Sequence, residues 1–246
     1  MNDPHVAQLS YRIIESDDFA FENAPALHFA TAEFEGVLEA NVLRLTPKAH
    51  FAAEADAVEV AAPFIAGWMI HAELRLGRPD FQLRYDGAQV VDRAPSPGHH
   101  SLHVSNHAKA SVTAHLKVLR HQYPEPPTRF SVTPEVQVIW DRFCAYVAGK
   151  EPLLSMAYFC LTLLERGNRK AAAGHFGVEL AVLSKLGELT SERGDGATAR
   201  KMTPNTKPLS GAERTWLETA IKALCIHLAG AGSGQSLSMA NLPPLP

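Results

Sequence analysis

Glycine-rich phosphate loops, HExxH metal motifs, Cys-x-x-Cys pairs and nucleophile elbows are all missing from this chain. Their absence excludes the motif-bearing routes to nucleotide binding, zinc proteolysis, thiol exchange and serine hydrolysis. Cysteine itself is scarce: Cys144, Cys160 and Cys225 are the only three, each in an apolar helical context. So odd and sparse a set excludes a disulfide framework and reads as reduced, buried thiols. The N-terminal MNDPHVAQLSYR has neither a basic nor an apolar region of the kind a signal peptide carries. The longest apolar run, VAAPFIAGWMI at 60–70, falls short of the roughly 18–20 residues that a spanning helix needs. These absences together predict a cytoplasmic protein without a membrane partner.

Charge of one sign is also in short supply. The net charge of −3 gives the chain no electrostatic footprint for nucleic acid or an anionic membrane. Residues 1–132 hold 11 Lys/Arg against 16 Asp/Glu, whereas residues 166–207 hold eight against four. The carboxylates are scattered, with no acid/base pair whose surroundings would split their pKa values.

What is present is a core-forming composition, 46% hydrophobic and 20% charged, in a chain of 246 residues, enough for two domains. The first half reads as α+β. SYRII (10–14) has strand character, and HFATAEFEGVLEANVLRL (28–45) offers two strands with a break near Gly36. FQLRYDGAQVVDR (81–93) predicts a hairpin about Asp86-Gly87, the pair that a type I′ turn prefers. Between them a helix of about 57–76 ends at Leu76, before Gly77 and Pro79. Asp56 and Glu59 resemble a capping box, but Pro63 falls inside and makes a start at Pro63 an equal alternative. ASVTAHLKVLRHQY (110–123) alternates as a half-buried strand does.

The proline-rich stretch at 126–133 predicts a linker between an α+β domain (1–125) and an all-α helical bundle (134–229). Thr133 with Pro134 opens the first bundle helix, Pro152 the second and Asn168 a short third. Ser210 and Glu213 form a capping box before a stripe of Leu217, Ile221, Leu224 and Leu228. Residues 230–246, small, polar and proline-rich, predict a disordered tail whose LPPLP matches only weakly the segments that polyproline readers take.

Three constellations bear on function. In NRKAAAGHFGVELAVLSKLGELT (168–190), Ala173, Gly177, Leu183 and Leu186 have the spacing of a helix-turn-helix. The stretch resembles the general helix-turn-helix pattern of bacterial regulators. Those positions specify packing. The residues that would meet DNA include Glu179, Leu180 and Ala181, with Arg169, Lys170, Ser184 and Lys185 as candidate polar contacts. Leu180, Val182, Leu183, Leu186 and Leu189 span half the helix circumference, which predicts a helix packed on more than one side. Second, His99, His103 and His107 head a group of six histidines within 99–121 and are candidate metal ligands, though no carboxylate lies near in sequence.

The third concerns the bundle as a whole. YFCLTLLE on one long helix, followed by VLSKLGELTSERG, resembles the HEPN helical domains of prokaryotic defence and toxin–antitoxin proteins. Such domains often carry an Arg-polar-x(4–6)-His RNase motif just after a leucine-rich helix. At that place this chain has Arg193-Gly194-Asp195 and then Arg200, with no histidine in range, so the resemblance implies a non-catalytic relative. Arg169 and His175 share the bare spacing, but about two such matches arise by chance with 14 arginines and 12 histidines. The sequence therefore points to a non-catalytic accessory protein, without a cofactor, whose bundle binds a partner protein or self-associates. A DNA-binding regulator is the second reading, and a histidine-centred metal enzyme the third.

Overall fold

The computed structural model describes residues 2–15, 19–77, 81–94, 118–194, 207–230 and 236–245. The chain is α+β and divides at Thr128/Arg129 into two compact units.

In the first unit, strands alternate buried and exposed residues and pair into an antiparallel sheet. Its strands are β1 (Pro4–Ile14), β3 (Leu27–Ala30), β4 (Phe34–Glu39), β5 (Val42–Pro47) and β6 (Gln82–Asp92), in the order β3-β4-β5-β1-β6. Helix α1 (Glu54–Leu76) covers the apolar face. Val6, Leu9, Phe34, Leu38, Leu43, Leu45 and Phe81 are buried with Ala57, Ile65 and Trp68 of the helix. Each large apolar side chain so buried contributes roughly 1.5–3 kcal/mol. A short pair, β2 (Phe19–Phe21) with β7 (Val118–Arg120), is parallel. Of the strand expected over 110–123, only this last piece lies within the described residues.

Three local expectations are corrected. The chain from Gln82 to Asp92 is one strand, not a hairpin: Asp86-Gly87 forms a bulge against β1, where Ser10 pairs with Gly87 and Tyr11 with Tyr85. Gly87 takes φ +126°, and the displaced Asp86 carboxylate pairs with Arg12 at 2.9 Å. Gly36 does not break a strand either. It sits inside β4 because the Phe29 ring of the neighbouring strand occupies the space that a Cβ would need. The reversal falls at Ala40-Asn41, both at positive φ, where Tyr123 receives a hydrogen bond from the Asn41 N–H at 3.0 Å and donates one to its Oδ1 at 3.1 Å. Thirdly, α1 begins at Glu54, so Asp56 is a first-turn residue and not a cap. Pro63 lies in the helix interior, at a cost that the buried face from Ala57 to Leu74 offsets. By length and composition α1 alone among the described residues is apolar enough to cross a membrane; ten of its residues are buried.

The second unit is a helical bundle: α2 (Pro134–Val147), α3 (Leu153–Glu165), α4 (Arg169–Phe176), α5 (Leu180–Glu192) and α6 (Gly211–Leu228). Its helix starts follow the caps read from sequence. Thr133 Oγ1 accepts from Val136 N–H at 3.3 Å, Asn168 Oδ1 from Ala171 N–H at 2.9 Å, and Ser210 with Glu213 closes a capping box. Ile139, Met156, Leu161, Leu186, Trp216 and Ile221 form its core. The end of the chain is corrected from a disordered tail: among residues 236–245, Leu237 and Leu242 are buried and residues 239–241 make a 3-10 turn, η1 (Met239–Asn241). Two leucines in that short stretch supply the apolar area that its polar composition obscures.

Candidate functional site

The helix-turn-helix segment folds as two helices with Gly177 in the left-handed region between them (φ +63°), where its N–H bonds Ala173 O, which also accepts from Val178 N–H at 3.0 Å. His227 Nε2 donates to Phe176 O at 2.8 Å and fixes the end of α4. Ala173, Val182, Leu183, Leu186 and Leu189 are buried, so the spacing does certify packing. Leu180 departs from the expected buried arc: at 42% exposure it stands on the first turn of α5 with Glu179, Ala181 and Ser184.

The four candidate DNA contacts occupy different environments. Arg169 turns inward, pairs with Glu165 and lies against Gly187 of α5. Lys185 is half-buried and pairs with Glu188 at 2.7 Å. Lys170 and Ser184 are exposed. The exposed start of α5 thus offers a carboxylate, a leucine and an alanine, and Arg169, one of the three cations meant for phosphate, is packed between helices. His99, His103 and His107 lie outside the described residues; among those described, no group of three histidine, cysteine or acidic side chains converges as a metal site. Burial pushes the Cys160 and Cys225 thiols up to about 12, leaving both protonated and poor nucleophiles.

A cleft of about 540 Å³ opens where the start of α2, the end of α3, the whole of α4 and the end of α6 meet. Its apolar lining is Leu164, Ala171, Ala172, Phe176 and Leu228. Glu135, Glu165, Arg166 and His175 provide the ionisable lining. The two carboxylates are well embedded, at 27% and 16% side-chain exposure, whereas Arg166, which pairs with Glu135 at 3.1 Å, is 74% exposed. The Arg166 pair is accordingly a weak surface interaction, worth about 0–1 kcal/mol, and readily exchanged. The C-terminal ends of α3, α4 and α6 border the cleft together with the N-terminal ends of α2 and α4, so the helix ends bring potential of both signs and the embedded carboxylates set the local charge.

Sequence reasoning found Thr133 and Asn168 only as caps and His175 only as half of a chance motif. Leu228 was legible only as the end of an apolar stripe, and Glu135, Glu165 and Arg166 carried no signal, because the cleft draws them together from separate helices. No family model matches the chain, and no curated protein or solved structure matches it.

Proposed function

We propose that the chain is a non-catalytic interaction protein whose helical unit receives a partner protein's segment in the cleft between α2, α3, α4 and α6. The observation that carries this reading is the cleft itself: an apolar floor beside two embedded carboxylates, Glu165 held by the half-buried Arg169 and Glu135 countered only by the exposed, exchangeable Arg166. An apolar side chain next to a lysine or arginine fits that chemistry. The apolar part covers Leu164, Phe176 and Leu228, and the cation takes the place of Arg166 at Glu135. The volume suits one or two side chains and not a globular surface. Duplex recognition is the weaker reading, since the start of α5 presents Glu179 where phosphates would lie.

The test is a selection of random displayed peptides against the intact chain, counter-selected on an Ala171→Trp variant in which an indole occupies the cleft. The expected result is a set sharing an apolar residue adjacent to Lys or Arg that is lost on the variant. Peptides that bind both proteins alike, or that share acidic flanks, would contradict it.

A further inference from the structure

Two histidines of the first unit present their imidazoles to each other. His5 stands near the start of β1, and His50 follows the end of β5. Their Nδ1 atoms lie 3.1 Å apart, with the ring planes 13° from parallel. Backbone pairing holds both residues in place. His5 lies opposite Val91 of β6, and Val6 N–H donates to Phe51 O at 2.9 Å. His5 is buried and His50 exposed, so solvent reaches the pair from the His50 side. On the far side of the His50 ring, Nε2 faces the Asp3 carboxylate, 3.7 Å from its Oδ1. That carboxylate favours the proton on Nε2, which leaves His50 Nδ1 a bare lone pair on the side of His5.

We propose that His5 and His50 form a two-histidine site for a borderline divalent ion such as Zn²⁺, held by the two Nδ1 atoms with water completing its shell. Two Zn–N bonds of about 2.0–2.1 Å, meeting at about 90–109°, set their nitrogens about 2.9–3.3 Å apart. The 3.1 Å separation falls inside that span before any ring has to move. In the ion-free chain one Nδ1–H bonds the other nitrogen across this gap. Binding shifts that proton to the Nε2 of its own ring, so both rings stay in the neutral form that ligates. Asp3 then plays the part of the carboxylate that orients a ligating imidazole through its far nitrogen. Neutral imidazole suits Zn²⁺, Cu²⁺ and Ni²⁺, whereas Ca²⁺ and Mg²⁺ take oxygen ligands. Among the described residues no third histidine, cysteine or carboxylate completes a ligand set. The site is accordingly open and exchangeable, and an ion there clips the start of β1 to the segment that follows β5.

The test titrates the full chain with Zn²⁺ near neutral pH and follows long-range ¹⁵N–¹H correlations of the imidazoles. The Nδ1 resonances of His5 and His50 are expected to move together and saturate, with both rings in the Nε2–H form. A pair that keeps one ring in the Nδ1–H form at every Zn²⁺ concentration overturns the proposal, as does a response confined to the other histidines. His50→Gln, at an exposed position, removes one ligand and should abolish the joint response. Asp3→Asn keeps both ligands and should weaken Zn²⁺ binding at the pair about tenfold. Urea unfolding decides without the spectra: Zn²⁺ should raise the midpoint of the wild type more than that of His50→Gln. An equal rise in both proteins overturns the proposal. Neither readout involves the cleft, so failure here leaves the peptide selection to judge that reading on its own.

Discussion

The guanidinium of Arg169 fills the space that a side chain on Gly187 would take: a Cβ at position 187 would lie 2.5 Å from Nη2 and 2.9 Å from Cζ. An arginine that reads from sequence as a phosphate contact is instead a wedge between α4 and α5, tied back to Glu165 one turn earlier. Glycine in a helix interior costs roughly 1 kcal/mol relative to alanine, so the packing of Arg169 is what position 187 offers in return. The two residues should therefore be coupled. Gly187→Ala alone is expected to be neutral or destabilising in urea unfolding, whereas in an Arg169→Ala background it should stabilise by about 0.5–1 kcal/mol. Equal effects in both backgrounds would remove the coupling.

Gly36 presents a harsher version of the same relationship. Phe29 lies over it and packs in turn against Phe64 and Trp68, at centroid distances of 5.6 and 5.1 Å. A methyl at position 36 must push an aromatic ring into a filled core. Gly36→Ala is expected to lower stability by about 1–3 kcal/mol in urea or thermal unfolding. An unchanged midpoint would show that the ring has room to move.

His71 makes the stability of the first unit depend on pH. Its ring is buried and its Nε2 accepts from the Arg75 Nε–H at 3.1 Å, which requires the neutral imidazole. Burial, and next the Arg75 charge, lowers its pKa from 6.5 to about 4. The unfolded chain therefore binds this proton more readily than the folded one, and stability is lost as pH falls from about 6.5 towards 4. The loss attributable to His71 is on the order of 3 kcal/mol, at about 1.4 kcal/mol per pH unit. His71→Gln keeps an acceptor without the titration. Denaturation midpoints measured from pH 7 to 4 should fall more steeply for the wild type than for this variant; parallel curves would count against the assignment.

How far the sequence disclosed this structure depended on how local the causes were. Helix starts at Thr133, Asn168 and Ser210 were legible because each cap bonds a residue three positions on. Asp86-Gly87 misled because a bulge and a hairpin turn ask for the same residues, and only the pairing with Ser10 and Tyr11 distinguishes them. Ala40-Asn41 gave no signal of a turn, since Tyr123, 82 residues away, supplies the hydrogen bonds that hold Asn41. The cleft was illegible for a related reason: Glu135 and Glu165 come from different helices, and nothing along the chain links them. The order of residues 236–245 was hidden behind their composition, since the buried Leu237 and Leu242, set among serines and prolines, give no periodicity.

The central claim, an apolar cleft that prefers a cation, is tested most directly by titrating the intact chain with octylammonium, octanol and octanoate while following backbone amide shifts. The account predicts saturable shifts at Ala171, Ala172 and His175 with octylammonium, weaker ones with octanol and none with octanoate, all abolished by Ala171→Trp. Binding of octanoate equal to or tighter than that of octylammonium, or shifts that survive the tryptophan, would contradict it.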